Sequence, residues 1–499
     1  MLLEKDFDFN NAVFTYFISN KSNSIFELHK NIFKDNLVIS YTKNTSVYYY
    51  NNDLEAICII GLCIDSYGKI ERKNIPQYLI ENSKSEIQFL FYNTRRLAGK
   101  YVIIYENKNG FFIFGDATCL LSIYYTTKNT ICFSSCDELI RKYLNYKISK
   151  EHLEIKNGSP YYEALPYDIT IYEDIKVVLP NHYLEINTKK ISRFFPQYNN
   201  TLKVAKNQYN QIIENCEHLI DNIVKEYIKY YDIICPLTCG NDSRLNLVFL
   251  KRHIKNLNCF TLKHPNFTEN TGDYYIPPQI CATENVQHTI IQDLKSPKKY
   301  IKNINEIIGD YHSEYTIDLA YTINTMLPNK AIVTGDIIDQ IGRGKYGKIP
   351  LLLANARNFN DFHNNKSLLF QEYLKQYIKN VKKDGCFSKI QDLFAIEYRC
   401  GRWVAQGSMI YAIAGISSLN IYNCREVIEN FMSIAIKERI NKIIHNRIFS
   451  NYSPQLLSIP INPDIKNKHN WLKSTFLFIL VKPLLKYIIK YLKNMIKLQ

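Results

Sequence analysis

The sequence predicts an α/β protein in two parts. An α+β sandwich domain, rich in sheet, covers residues 1–205; a doubly wound parallel-sheet domain with a helical C-terminal part covers 206–462; a basic amphipathic tail follows over 463–499. Three observations predict this. At 499 residues the chain is longer than the roughly 250–300 at which one core stops growing. The front alternates β-branched and aromatic residues between short turns. Beyond Asn207, apolar runs of strand length alternate with stretches of helical spacing, which is the pattern of a parallel sheet.

In the front part, Tyr101-Val102-Ile103-Ile104-Tyr105, Phe111-Phe112-Ile113-Phe114 and Thr130-Ile131-Cys132-Phe133 read as strands. Asn107-Lys108-Asn109-Gly110 and Thr127-Lys128-Asn129 supply the hairpin turns between them. From Asn207 to Lys229, Ile212, Ile213, Cys216, Leu219, Ile220 and Ile223 fall on one face of a packing helix. Ile233-Ile234-Cys235-Pro236-Leu237 then reads as a buried strand, and Arg244 to Leu250 as a helix. Further strands are expected at Leu257–Leu262, at His288–Ile291 and around Ala331-Ile332-Val333. A helix is expected to begin at Pro277-Pro278, and the stretch from Ile390 to Arg439 reads as helical.

The charge of +15 points to an anionic partner, but it is unevenly spread. Eight lysines and no acid lie between Lys466 and Gln499, so the body is only mildly basic and a nucleic-acid role is not expected. In the tail, Lys482, Lys486, Lys490, Lys493 and Lys497 share one helical face, which fits peripheral contact with an anionic membrane or docking in a partner's groove. Lys482 and Pro483 break the apolar run short of a span. The 13 cysteines form no Cys-x-x-Cys pair, and there is no His-Glu-x-x-His, so neither a zinc site nor a redox pair is indicated. With an acidic N-terminus lacking an apolar core segment, a cytoplasmic protein is expected, with peripheral contact at the inner membrane surface through its tail as a further expectation.

The residues with the clearest chemistry are Thr238-Cys239-Gly240-Asn241-Asp242-Ser243. A loop at a helix N-terminus offers unpaired N–H groups to an anion. Thr238 and Ser243 add hydroxyl donors, Gly240 allows close approach of the backbone, and Asp242 can hold a hydrated Mg²⁺. This segment resembles the pyrophosphate loop of the N-type ATP pyrophosphatases, usually Ser-Gly-Gly-x-Asp-Ser, which cleave ATP between the α- and β-phosphates. Cys239 replaces the first glycine.

The front part is similar to the glutaminase domain of the asparagine synthetase family, an Ntn-hydrolase-like fold. The likeness lies in Leu97-Ala98-Gly99-Lys100-Tyr101, Gly115-Asp116-Ala117, Ile123-Tyr124-Tyr125 and Phe133-Ser134-Ser135, taken in order. Leu179-Pro180-Asn181-His182 matches the connection to the synthetase half, where Pro-Gly is more usual. A working glutaminase has a cysteine after the initiator Met, whose freed α-amine serves as base. Leu2 and Leu3 stand there instead, and no Asn-Gly-Glu-x-Tyr-Asn element for binding glutamine follows, so the resemblance implies a front domain that has lost glutamine hydrolysis.

Thr334-Gly335-Asp336-Ile337-Ile338-Asp339-Gln340 resembles the family's second motif, Ser-Gly-Glu-Gly-x-Asp-Glu. The resemblance gives Asp339 a share of the metal with Asp242, and puts Asp336 in the place of a catalytic glutamate. Gly342-Arg343-Gly344-Lys345-Tyr346-Gly347-Lys348 matches two nucleotide-loop patterns but lacks their context, and reads as a flexible glycine loop whose Arg343, Lys345 and Lys348 can neutralise phosphate. Glu397-x-Arg399-x-x-Arg402-Trp403 and Ser418 to Ile428 resemble later segments of the family, where a lysine stabilises the transition state; Lys437 and Lys442 are the candidates.

Together these imply a ligase using ATP and Mg²⁺ to adenylate a small-molecule or peptide carboxylate, which then forms an amide with an amine or ammonia. Two alternatives are a non-catalytic relative and a transfer-RNA-modifying ATP pyrophosphatase. The latter commonly carries its loop near the N-terminus, whereas here some 230 residues precede it.

Overall fold

The computed structural model describes residues 11–20, 25–26, 28–33, 37–159, 164–196 and 203–463. Residues 1–10, where the missing nucleophile is read, and 464–499, the basic tail apart from its first residue, lie outside the described residues.

The alternating front sequence forms two six-stranded antiparallel sheets. In one, Leu97–Asn107 lies between Ala56–Asp65 and Gly110–Gly115; in the other, Tyr16–Ser19 lies between Leu37–Tyr41 and Cys132–Ser134. The period of two divides the residues between faces. Cys58, Ile60, Val102, Ile104 and Ile113 enter the main core, which also takes Tyr16, Ile18 and Ile39 of the second sheet. The alternate residues Ile57, Ile59, Ile103 and Phe114 pack with Leu79 and Leu90 of the helices Ile75–Ser83 and Ile87–Asn93. Both expected hairpin turns are present.

The second part holds a five-stranded sheet, parallel throughout: β1 (Ile233–Pro236), β2 (Asn258–Lys263), β3 (Gln287–Gln292), β4 (Ala331–Val333) and β5 (Ser418–Leu419). Its spatial order is β3-β2-β1-β4-β5. Chain direction across the sheet reverses between β1 and β4, and in such sheets the crevice for a ligand opens beyond the carboxyl ends of the strands at that reversal. Helices α1 (Tyr209–Tyr227) and α2 (Asn241–Lys251) flank β1 in sequence, and α1 buries Ile213, Cys216, Leu219, Ile220 and Ile223 as its spacing requires.

Two elements differ from expectation. Helix α3 (Gly272–Glu284) starts a turn earlier than the prolines and carries Pro277 and Pro278 inside it. Its first turn is anchored by contacts outside the helix: Tyr274 N donates to Thr271 O at 2.8 Å, and Asp273 Oδ1 accepts from Cys239 N at 2.8 Å. The stretch from Ile390 to Arg439 is not continuously helical, because Ser418–Leu419 pairs with β4 as a strand of two residues, too short to leave a period in the sequence.

The two parts are joined by buried polar contacts. Asn423 Nδ2 donates to Gly99 O (2.6 Å) and to Asp116 Oδ1 (2.8 Å), and Lys100 Nζ donates to Ser418 Oγ at 2.8 Å. Asn181 has φ +70°, a left-handed conformation that asparagine tolerates, which explains how it stands where glycine is more usual. Its amide donates to Glu397 Oε1 and accepts from Arg425 Nη1. Among the described residues no helix is long and apolar enough to cross a membrane.

Candidate functional site

The loops that follow β1 and β4 face each other at the reversal point. In the first, Ser243 Oγ accepts from Thr238 N at 3.1 Å and lies 3.0 Å from Thr238 Oγ1, which accepts from Gly240 N at 3.3 Å. The hydroxyls therefore shape the turn that leads into α2. Gly335, in the second loop, touches the first at its backbone: a Cβ there would stand 3.0 Å from Asp242 Cβ and 3.2 Å from its carbonyl carbon. Only a glycine fits this approach without displacing the aspartate.

Asp242 and Asp339 meet over these loops. Arg343 Nη1 lies 3.0 Å from Asp242 Oδ2 and 2.9 Å from Asp339 Oδ1, so one nitrogen donates to both carboxylates. Lys345 Nζ lies 3.2 Å from Asp339 Oδ2, which also accepts from Gln340 Nε2 at 2.5 Å. On the other side of Asp242, His445 Nε2 stands 2.9 Å from Oδ1. Burial alone would raise the Asp242 carboxyl, but the bond to His445 and the charges of His445 and Arg343 outweigh it and hold the group below the usual range. Asp336 shifts the other way: burial raises it, a hydrogen bond from Thr334 opposes, and Asp339 adds repulsion.

Both loops open on a cavity of about 990 Å³ lined by Thr238, Asp242, Ser243, Gly335, Asp336 and Asp339 at one end. Phe260, Tyr315, Trp403 and Tyr411 contribute aromatic walls, and Lys100, Lys156 and His312 polar ones. That volume is at the upper end of the ~300–1,000 Å³ usual for small-molecule sites.

The other expected residues separate into those brought to this point and those that are not. Cys239 turns its thiol away from the cavity, to 3.2 Å from Asn462 Oδ1, so the exchange for glycine does not crowd the loop's open face. Asn241 is buried at the start of α2. Lys442 is half-buried, and the charges of Arg343, Asp242 and Arg244 are felt at its ammonium, which burial shifts downward. Lys437 is exposed on the short helix Ile436–Ile440, whereas Lys442 lies within the field of Asp242 and Arg343; neither lysine lines the cavity. Lys348 is exposed as well. The glycine loop is packed rather than loose: a Cβ on Gly347 would fall 2.5 Å from Ile436 Cγ1, and one on Gly344, where φ is +56°, 2.8 Å from the same atom.

Three groups at the site carry no signal in a local pattern. His445 comes from the helix Ile443–Tyr452, about 200 residues from its partner. Asp273 holds the Cys239 N–H from α3. Arg244 lies fully buried beneath the loop and bonds only to carbonyl oxygens, among them Cys239 O at 2.9 Å and Ile459 O at 2.9 Å. Burial lowers its guanidinium to about 10. Its position beside Ser243 is the one hint the sequence holds.

Among the described residues no cluster of three or more His, Cys, Asp or Glu forms a ready-made metal cage. Mg²⁺ does not need one where phosphates are present, because it is usually held by one or two carboxylates with phosphate oxygens and water. Asp242 and Asp339, whose oxygens already converge on a single cationic nitrogen, fit that demand. In comparisons with known proteins, the chain matches no family model, and no curated protein matches it.

Proposed function

We propose that this chain is an asparagine synthetase-like ligase that forms AMP and pyrophosphate, with a glutaminase-like front domain and an ATP-pyrophosphatase domain behind it. The observation that carries the reading is the convergence of Asp242 and Asp339, about 100 residues apart in sequence and both lining a large cavity, on one Arg343 nitrogen. Acids gathered beside a hydroxyl-rich loop at a helix N-terminus suit a polyphosphate and its counter-ion.

In this reading Thr238, Gly240 and Ser243 hold the β- and γ-phosphates, and Arg343 and Lys345 turn from the carboxylates to the phosphates when ATP enters. Asp242 and Asp339 would hold Mg²⁺, which supplies charge neutralisation for the departing pyrophosphate. A substrate carboxylate oxygen attacks the α-phosphorus and the α–β phosphoanhydride bond breaks. An amine or ammonia then attacks the acyl carbon, AMP leaves and an amide remains. Arg244, buried under the loop, adds positive potential behind the phosphates. In this reading the front domain does not hydrolyse glutamine, and the nitrogen would come from free ammonia, another subunit or an amine substrate. Its 13 free, buried thiols suit a reducing setting, and the reading places its work in the cytoplasm, with the tail as a peripheral membrane contact.

The test is Mg²⁺-dependent exchange of labelled pyrophosphate into ATP across a panel of small-molecule and peptide acids. Exchange with at least one acid, lost on removing Mg²⁺, is the expected result. Nucleotide binding with no exchange across a broad panel would turn the reading to the non-catalytic alternative, which the Arg343 bridge between the two acids favours.

A further inference from the structure

Beside Ser418 of β5, two strands across the sheet from β1, the front domain adds a lysine to the cavity lining. Lys100 is 3% exposed, and its ammonium donates to Ser418 Oγ at 2.8 Å and lies 5.3 Å from the centre of the Phe14 ring. Among the described residues it has no carboxylate within ion-pair distance. Asp116 from the front domain and Asp336 from the back face it only at longer range. A buried cation with no paired anion is costly. Elsewhere in the protein such a charge is met either by a carboxylate, as Arg439 by Asp392 and Arg193 by Glu397, or by several carbonyl oxygens, as at Arg244, whereas Lys100 has a single hydroxyl.

A second group in the cavity lining has a ring nitrogen with no partner among the described residues. His312 is 93% buried by virtue of a 7% exposure, it lines the cavity, and its Nε2 has no hydrogen-bond partner among the described residues. Burial, then the charge of Lys156, pushes it down to about 3, so it is a neutral ring able to give or take one hydrogen bond. Ser418 lies on β5, two strands from β1. At ~4.8 Å between strands, Lys100 stands roughly 10 Å across the sheet from the phosphate loop, which leaves room for a ligand between them.

We propose that Lys100 is an anion anchor: the front domain reaches into the cavity and holds a carboxylate group of the bound ligand there, with His312 as a further polar group in the same cavity. Assigning that ligand as the substrate rests on the ligase reading; the anchor itself does not. The front domain is then part of the binding site and not a relic beside it. Burial, opposed by Asp116 and Asp336, lowers the free ammonium to about 7, so an arriving anion draws a proton onto it.

The probes are acetate and succinate, titrated calorimetrically into the full chain at pH 7 in two buffers of different ionisation enthalpy. The wild-type protein is expected to bind at least one of them with uptake of about half a proton. Lys100→Met should weaken that binding at least ten-fold and abolish the uptake, while Lys100→Arg, charged at every working pH, should keep the binding without the uptake. Thermal melts confirm that each variant is folded. The anchor is overturned if wild-type protein binds neither anion, or if Lys100→Met binds them as well as wild type or still takes up the proton. Mg-ATP titrated separately reads the phosphate end, so failure there counts against the ligase reading alone.

Discussion

The two ends of the cavity treat charge in opposite ways. At the end where the two aspartate loops meet, each aspartate has a partner: Asp242 has His445 and Arg343, and Asp339 has Arg343, Lys345 and Gln340. At the other end Lys100 has a hydroxyl, and elsewhere in the lining His312 Nε2 has no partner among the described residues. A carboxylate pair can be neutralised from within because a flexible arginine can withdraw when a ligand arrives. A short-range anion for Lys100 would have to come from the sheet it packs on, and Ser418 is what that sheet offers. Binding at the first end is therefore an exchange of partners, and at the second it supplies a partner that is missing.

The strongest way to break this comparison is to remove one of the two acids. Asp339→Asn and Asp242→Asn should each lower pyrophosphate exchange on the order of 100-fold, the scale of losing one preorganised electrostatic contact. The double variant should lose little more than either single one, because groups acting as a unit are not additive. Exchange near the wild-type rate in either single variant would mean that the convergence on Arg343 is a structural ion pair.

The other end is sharpened by pH. Lys100 is protonated up to ~10.4 in the unfolded chain but only up to about 7 in the folded one. Between those values the unfolded state binds more protons, so this group makes stability rise with pH across the window and contributes no slope below it. Its share of the slope is at most about 1.4 kcal/mol per pH unit. Melting temperatures from pH 7 to 9 should therefore rise less steeply in Lys100→Met than in wild type. Parallel curves would show that the ammonium already has a partner in the folded protein.

How much of this could be read beforehand depended on the range of the interactions. The sheet-rich character of the front, the strands around Tyr101–Tyr105, Phe111–Phe114 and Cys132–Phe133, and β1, β2 and β3 were legible because period-two alternation and short apolar runs are local. So were both aspartate loops, since each lies within a few residues of a strand end. Strand β5 was missed because two residues carry no period, and the start of α3 was misplaced because Asp273 is fixed by Cys239 and not by its neighbours. His445 and Lys100 were missed as site residues for the same physical reason. One is a histidine on an unremarked helix, the other a lysine in a β-rich stretch, and only the fold brings them to the cavity. Cys239 was the reverse case, conspicuous in the motif yet turned away from the cavity in three dimensions.

The two lysines that the sequence left open give the smallest effect. Lys442 caps the helix Ile443–Tyr452 with φ +63°, half-buried within the field of Asp242 and Arg343, whereas Lys437 is exposed. A cation that stabilises charge on a phosphate must share its low-dielectric site, since an exposed one is screened. Lys442→Ala should therefore slow exchange about ten-fold, at the low end for one electrostatic contact, and Lys437→Ala should leave it within a factor of two. Because the left-handed backbone at 442 makes any non-glycine residue costly, Lys442→Gly is the second variant: it relieves that strain while removing the same charge. Equal slowing in the alanine and glycine variants would assign the effect to the ammonium. Slowing by alanine alone would assign it to the backbone, and would leave the phosphate end to Arg343, Lys345 and the buried Arg244.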